Sequence, residues 1–324
     1  MGQLVIAPTK LERISAKNME TVINQEVPPN VNLIHAPEIW EQGQHGEGII
    51  IAVLDSGCDV NHPQLQEQII GGKNFTDTGN SDEYIDDHGH GTHVSGIIAA
   101  KLDEKEIVGV APKAKLLILK VLKKDPENPD ETIGNTDWGV AAIDYAISWR
   151  GPNQEKVRII NMSIQGREGD DAYHEAMKKA VKNDILVVAC AGNFGDIEHG
   201  GDCSPEHDEY SYPAIYPEVI SVGAIALDKT FPCLTNTNSQ IDLVAPGKEI
   251  YSTMPNNGYG IGTGTSMAAP HVSGALALLI NKCEKDFDRS LTENELYAQL
   301  IKCTRSLGKS KKLEGNGLID LIIN

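Results

Sequence analysis

Short apolar runs that alternate with helical segments constrain the fold of this chain more than any other feature. The runs are rich in β-branched residues and lie at 49–54, 116–122, 158–162, 185–190 and 219–225. Such runs are typical of strands buried on both faces of a sheet. The segments 90–100, 137–149 and 171–182 have helical spacing, and the alternation predicts an α/β fold with a mostly parallel sheet. Ligands bind such sheets at the carboxyl ends of the strands.

The two ends of the chain differ from this central pattern. Residues 1–26 are polar and lack sustained periodicity, which predicts an extended N-terminal arm in front of a single domain over 27–324. Near the C-terminus, residues 266–280 and 291–303 predict two further helices. Ser290 or Thr292, with Glu293 and Glu295 following, is a capping pattern that favours the start of the second helix.

Composition excludes several classes of partner. Lysine and arginine number 28 against 46 aspartates and glutamates, a net charge of −18, which repels the phosphate backbone of nucleic acids. No stretch approaches the roughly 20 apolar residues that span a membrane. The N-terminus lacks the pattern of a secretory signal, which predicts a cytoplasmic protein. The six cysteines form no Cys-x-x-Cys pair, and we expect free thiols in a reducing compartment.

The candidate catalytic residues lie in three glycine-rich segments. They are VLDSG at 53–57, HGHGTHVSG at 88–96 and GTGTSMAAPHVSGA at 262–275. Taken singly, Asp55 is explained as a turn residue and Ser266 as a helix cap. Taken together, an aspartate, a histidine and a serine supply the orienting carboxylate, the general base and the nucleophile of acyl transfer.

These segments and the landmarks between them resemble the subtilisin family of serine proteases over roughly residues 27–320. The matching stretches are VLDSGCDVNHPQL, HGHGTHVSGIIAA, GVAPKAKL, IINMSI, VVACAGNFGD, YPAIYPEVISVGAI, DLVAPG and GTSMAAPHVSGALAL. The resemblance implies a three-layer α/β/α fold with a mostly parallel central sheet. It also implies that Asp55 orients His90, that His90 rather than His93 is the base, and that Ser266 attacks the peptide carbonyl. The Asn193 side chain and the Ser266 backbone N–H then donate to the oxyanion.

The same resemblance implies where a protein or peptide substrate binds. Family members hold substrate as an extended strand between two backbone segments, which here correspond to Thr136–Trp138 and Ser163–Gly166. The second segment comprises Ser163, Ile164, Gln165 and Gly166, and Gln165 stands where glycine is common. A side chain at this position is expected to narrow or polarise the cleft.

The pocket for the residue before the scissile bond is expected between Ala189 and Gly192, a stretch that includes Cys190. Phe194 stands near its rim, where a polar residue is more familiar, and this favours apolar or neutral substrate side chains. Tyr212-Pro213 resembles a position at which subtilisins have a cis peptide.

The arm and the tail segment LEGNGLIDL at 313–321 narrow the likeness to the intracellular subtilisins of Gram-positive bacteria. In that group a short N-terminal extension lies across the active site, a proline keeps it from being cut, and activation removes it. Pro8 is the corresponding proline, although the usual Leu-Ile-Pro-aromatic order is altered here. A disordered arm is the alternative. The resemblance also leaves a homodimer open.

Cations are expected from the family. A structural Ca²⁺ site is predicted at the loop KLDEKEI, 101–107, with Asp103 as its carboxylate, but Gln64 replaces a second expected carboxylate and weakens the site. The acidic stretch 77–87 is a second candidate, for which solvated surface carboxylates are the alternative. The carbonyls of Ala214, Tyr216 and Val219 are candidates for a weak Na⁺ site.

Three other functions fit parts of this pattern. His88, His90 and His93 have ligand-like spacing, which is also found in zinc hydrolases, but the aspartate of that motif is missing. A peptide-binding relative without activity would tolerate loss of a catalytic group, whereas all of them are present here. A dedicated maturation protease for one peptide precursor is the narrower alternative to a general endopeptidase.

Overall fold

The computed structural model describes residues 2–6, 9–14, 27–103, 107–128 and 130–323. The strands are β1 Gln3–Ile6, β2 Lys10–Arg13, β3 Ile50–Asp55, β4 Ile69–Asn74, β5 Lys115–Lys120, β6 Leu122–Lys124, β7 Thr132–Asn135, β8 Val157–Met162, β9 Ile164–Gln165, β10 Leu186–Cys190, β11 Val219–Ile225, β12 Leu243–Pro246, β13 Ile250–Met254, β14 Gly258–Thr263, β15 Thr304–Arg305 and β16 Leu318–Ile319. The helices are α1 Pro29–Leu33, α2 Ala36–Trp40, α3 His90–Ala99, α4 Thr136–Ser148, α5 Asp171–Lys182, α6 Thr265–Phe287, α7 Glu293–Lys302 and α8 Lys311–Glu314.

Nine strands form the central sheet, in the order β15-β16-β12-β11-β10-β8-β3-β5-β4. Its pairs are parallel except for β15 with β16. Successive side chains of β3 alternate between two cores, with Ile51 and Val53 in one and Ala52 and Leu54 in the other. The first core contains α3 and α6, and the second contains α4 and α5. The predicted three-layer α/β/α fold with a mostly parallel sheet is confirmed.

The predicted helices and the observed helices agree closely except at α6. Segment 171–182 is α5, and the Thr292 capping box opens α7 as predicted. Helix α6 continues to Phe287, is buried from Thr265 to Ile280, and contains Pro270. The sequence pattern did not predict β4, β12 or the hairpin β13–β14, since these strands are short or contain several glycines.

Two of the six cysteines contradict the expectation of free thiols. Cys203 and Cys233 form a disulfide, and their Cα atoms are 4.9 Å apart. The thiols of Cys58, Cys190, Cys283 and Cys303 are free and buried. The pairing was not evident from the sequence, because residues that are 30 positions apart are brought together by tertiary structure. Among the described helices, none has the length and apolar character needed to cross a membrane.

Candidate active site

Asp55 and His90 form a buried pair at the carboxyl edge of the central sheet. Asp55 is the last residue of β3, and His90 is the first residue of α3. The imidazole Nδ1 lies 2.8 Å from Asp55 Oδ1, and the two side chains are 0% and 1% exposed. The same carboxylate oxygen accepts the backbone N–H of Ser56 at 2.7 Å. These bonds fix the orientation of the ring and direct its Nε2 away from Asp55.

Asp86 holds the start of the helix that carries His90. Its Oδ1 accepts the backbone N–H groups of His88 and Gly89, at 3.0 and 2.8 Å. Its Oδ2 accepts the backbone N–H and the hydroxyl of Thr92, at 2.8 and 2.6 Å. Asp86 belongs to the acidic stretch 77–87 that was a candidate cation site, and its role at the start of α3 was not predicted. The usable signal was an aspartate shortly before the first turn of a helix, where carboxylates satisfy free N–H groups.

His93 has a different environment from His90. It lies one turn further along α3, and its Nε2 is 3.1 Å from the Ile250 carbonyl and 3.3 Å from the Gly260 carbonyl. Burial lowers its pKa to about 3, so the ring is neutral. This environment supports the choice of His90 over His93 as the base.

Ser266 lies in the first turn of α6, directly after β14. The turn requires Gly264, because its φ is +155° and an added Cβ would lie 2.7 Å from Asn193 Nδ2. Helices α3 and α6 pack against each other, which brings the two helix starts to one edge of the sheet. The Ser266 hydroxyl donates to the Ser163 carbonyl at 3.2 Å. His90 Nε2 has no hydrogen-bond partner among the described residues, so the serine–imidazole bond is not formed in this state.

The Asn193 carboxamide is held in one orientation beside Ser266. Its Oδ1 accepts the Thr265 backbone N–H at 2.9 Å and the Thr265 hydroxyl at 2.7 Å. Since the oxygen is fixed, the amide nitrogen faces the turn at Gly264 that leads to Ser266. The amide N–H group therefore lies close to the start of α6, where Ser266 is located.

The N-terminal arm occupies the cleft beside these residues. Strand β1 lies between β7 and β9 and is antiparallel to both. Leu4 is opposite Gly134 and Val5 is opposite Gln165. The expected cleft segment Thr136–Trp138 forms the first turn of α4, and the strand that pairs with β1 is the preceding β7. Thr136 still contacts the arm, since its hydroxyl accepts the Gly2 N–H at 3.0 Å.

The arm continues past the nucleophile to the other side of the site. Strand β2 pairs with β14, and Leu11 is opposite Gly262. Thr9 lies next to Gly264, since a Cβ added to that glycine would be 3.0 Å from the Thr9 hydroxyl. A cavity of about 630 Å³ is lined by Ile6, Thr9, His90 and Phe194 among others. Pro8, the predicted inhibitory proline, lies outside the described residues.

The remaining predicted cleft residues surround the same crevice. Ile164, Cys190 and Gly192 are buried, and the Cys190 thiol lies 3.5 Å from the Ile164 carbonyl. Burial raises the pKa of this thiol to about 12, so it is not a nucleophile. Gly166 forms a β-bridge with Tyr212, which begins the cis Tyr212-Pro213 peptide that was predicted.

Phe194 is almost entirely buried at the mouth of the cleft. Only 6% of its surface is exposed, and the Arg167 guanidinium lies 3.8 Å from its ring centroid. The ring is therefore covered by a cation, so it does not offer a bare apolar rim. Its backbone N–H donates to Asn236 Oδ1, which ties this part of the cleft to the following segment of the domain.

The described residues of the predicted calcium loop do not fit a calcium site. Asp103 Oδ2 accepts a hydrogen bond from Gln64 Nε2 at 3.1 Å and lies 3.5 Å from the Lys101 ammonium. A calcium ion requires several oxygen ligands, whereas donors approach this carboxylate. No group of three or more His, Cys, Asp or Glu with metal-binding geometry occurs in the part of the chain that the structure describes. Calcium therefore stays a prediction from the resemblance.

The other cation candidates have protein partners as well. In the acidic stretch, Asp77 pairs with Lys123, Asp87 pairs with Lys120, and Glu83 accepts from Asn80. At the Na⁺ candidate formed by Ala214, Tyr216 and Val219, the Tyr216 carbonyl accepts the Val219 N–H at 3.0 Å. The Na⁺ site also stays a prediction.

The histidines of the zinc alternative do not converge. His88 Nε2 lies 3.1 Å from the Asp130 carbonyl, His90 pairs with Asp55, and His93 contacts backbone carbonyls. Their ring nitrogens are directed to different partners, which is incompatible with one tetrahedral ion. A buried Asp–His pair with a serine and an amide donor at one crevice of an α/β sheet instead defines a serine hydrolase.

Comparisons with known proteins identify the family. A family model described as the subtilase family matches residues 46–317. The chain is 51% identical over 298 residues to the intracellular serine protease of Paenibacillus polymyxa, covering 91% of this chain and 86% of that protein. It is 49% identical over 298 residues to the major intracellular serine protease of Bacillus subtilis, covering 91% and 88%. A subtilisin of Bacillus pumilus is 38% identical over 258 residues, covering 80% and 86%. The chain belongs to the subtilase family and is a subtilisin-like serine endopeptidase.

Proposed function

We propose that the chain is an intracellular endopeptidase that hydrolyses peptide bonds through an acyl-enzyme on Ser266. The observation that supports this most strongly is the buried Asp55–His90 pair at the start of α3, beside Ser266 at the start of α6. Names of relatives from Paenibacillus polymyxa and Bacillus subtilis support the intracellular location.

In this mechanism each residue has one task. His90 Nε2 accepts the Ser266 hydroxyl proton while the serine oxygen attacks the carbonyl carbon, and Asp55 stabilises the resulting imidazolium. The Asn193 amide and the Ser266 backbone N–H donate to the oxyanion. The imidazolium then gives its proton to the leaving amine. Water attacks the ester by the same route, which releases the carboxylic acid and restores the serine.

The N-terminal arm is proposed to inhibit this site until it is removed. Three observations support inhibition: β1 lies in the cleft as an added strand, β2 pairs with β14, and Thr9 lies beside Gly264. Residues 1–26 then form the inhibitory extension and 27–324 the peptidase domain, with Pro8 protecting the extension from cleavage.

Digestion of a peptide library by the wild-type chain and by Ser266→Ala tests the proposal. We expect the wild type to cut at many sites and to lose its own arm. Ser266→Ala is expected to keep the arm and to cut on the order of 10⁶-fold more slowly, which is the size known for removal of the nucleophilic serine in a subtilisin. Cleavage by Ser266→Ala at the wild-type rate would contradict the proposal. A single cleaved motif would favour a maturation protease.

A further inference from the structure

Two segments that follow neighbouring parallel strands enclose a crevice beside Ser266. Strands β8 and β10 are hydrogen-bonded, and residues 163–166 and 191–193 follow their carboxyl ends. The Ser163 hydroxyl donates to the Ser266 carbonyl, and Asn193 is bonded to Thr265. The nucleophile therefore lies between the two segments, and the substrate side chain next to the bond under attack must enter this crevice.

The Gln165 side chain extends from one segment to the other. Its backbone lies in β9, and its Oε1 accepts the backbone N–H of Asn193 at 3.2 Å. The residue is 0% exposed, with β1 paired along it through Val5. The carboxamide therefore occupies space between the two segments that a long substrate side chain would need.

Polar groups in this crevice lack partners. Among the described residues, neither Gln165 Nε2 nor the Ser211 hydroxyl has a hydrogen-bond partner, although both atoms are buried. Ser211 lies behind Gly192, since a Cβ added there would be 2.9 Å from the Ser211 oxygen. Leaving a buried donor unpaired costs free energy, which a ligand that carries an acceptor recovers.

We propose that Gln165 is a specificity-determining residue that restricts the side chain before the scissile bond to short ones and favours serine among them. This inference rests on the proposed function. A short side chain enters without moving the carboxamide, and a serine hydroxyl accepts from Gln165 Nε2. A large side chain such as leucine or phenylalanine must break the Gln165–Asn193 bond. That bond fixes the backbone of the oxyanion donor, so a large side chain lowers kcat as well as raising KM.

The test uses the full chain after it has processed its own arm and four peptides that differ only before the scissile bond. With serine, alanine, leucine or phenylalanine there, we expect wild-type kcat/KM to be at least about tenfold higher for serine and alanine than for leucine and phenylalanine. Gln165→Gly is expected to raise the ratio of kcat/KM for the phenylalanine peptide to that for the alanine peptide by at least about tenfold. Gln66→Gly, a matched control at an exposed glutamine away from the cleft, is expected to leave the ratios unchanged.

Gln165→Met provides a second test that does not depend on the glycine variant folding. Methionine keeps the bulk but has no amide, so the preference for short side chains is expected to stay and the preference of serine over alanine to disappear. Three results would overturn the inference while the proposed function stands. They are a wild type that prefers leucine or phenylalanine, a phenylalanine-to-alanine ratio of kcat/KM that Gln165→Gly leaves unchanged, and a serine-to-alanine ratio that Gln165→Met leaves unchanged. Failure of the wild type to cut any peptide would overturn the proposed function itself, and the inference with it.

Discussion

The proposed catalytic residues and the N-terminal arm meet at one crevice but are held there in different ways. Asp55, His90 and Ser266 lie at the ends of elements that are almost wholly buried. The arm is attached mainly through backbone pairs, with β1 between β7 and β9 and β2 along β14, and of its two strands only Leu4 is fully buried. Strands that bury little apolar surface contribute modestly to stability. The comparison indicates that the domain assembles the site by itself and binds the arm as it would bind a peptide.

The largest effect is expected from replacing Asn193, which tests the proposed catalytic residues. Asn193→Ala removes a donor that Thr265 holds in place. We expect kcat to fall about 10²–10³-fold with little change in KM, which is the size known for such donors in subtilisins. Steady-state kinetics on a peptide substrate measure this. An unchanged kcat would mean that the fixed amide does not stabilise the transition state.

Asp86→Ala tests whether the domain itself positions His90. The change leaves the N–H groups of His88, Gly89 and Thr92 without their acceptor. We expect a loss of roughly 2–4 kcal/mol in the free energy of unfolding, together with lower activity. Urea unfolding measures the stability, and Asp82→Ala, at an exposed acidic residue of the same stretch, is the control. Equal stability of the two variants would contradict the role of Asp86.

Leu4→Ala tests the weaker attachment of the arm. Leu4 is 1% exposed and packs near Gly139 and Tyr173 in the second core. Truncating a buried leucine costs about 2 kcal/mol or more, so the arm should leave the cleft about 30-fold more often. The rate at which a serine-directed fluorophosphonate labels the unprocessed chain measures the opening. Gln3→Ala, at an exposed residue of the same strand, should label like the wild type.

The smallest effect is expected in the pH dependence of stability, through a buried histidine of the peptidase domain. The His271 Nδ1–H donates to the Met267 carbonyl at 2.8 Å, Asn30 Nδ2 lies 2.7 Å from Nε2, and burial lowers the pKa to about 4. Because this pKa lies below the ordinary value, the unfolded chain takes up the proton first as pH falls. Stability is therefore lost between about pH 6.5 and 4, by about 1 kcal/mol from pH 7 to 5.5.

The matched variants separate this histidine from the general effect of acid. His271→Gln is expected to reduce the stability loss between pH 7 and 5.5 by about that 1 kcal/mol. His207→Gln, at an exposed histidine, should keep the wild-type slope. Equal slopes for His271→Gln and the wild type would show that His271 is not buried in its neutral form.

The fold was predictable where the sequence pattern was long and regular. Apolar β-branched runs identified the central strands, helical spacing identified α5, and a capping pattern favoured the start of α7. The short strands β1 and β2 were not predictable from periodicity, because their pairing depends on partners more than 100 residues away along the chain. Cys203 and Cys233 became neighbours only through the same kind of long-range packing.

The proximity of the proposed catalytic residues was more predictable than the contacts of their surroundings. Asp55, His90, Ser266 and Asn193 stood in glycine-rich segments whose residue types match one chemistry. The side-chain contacts of Gln165 and Asp86 were not predictable, because each side chain bonds to a backbone group that the local sequence does not specify. The strand β7 directly before the expected cleft segment was not predictable either, since Asn135 both ends this short strand and caps α4.

Labelling by a serine-directed fluorophosphonate, followed by peptide mass spectrometry, shows directly whether His90 activates Ser266. We expect one adduct on Ser266 in the processed wild type, strong slowing of the reaction in His90→Ala, and slow labelling while the arm is present. An adduct on another serine, or labelling of Ser266 at the same rate in His90→Ala, would rule out the proposed mechanism.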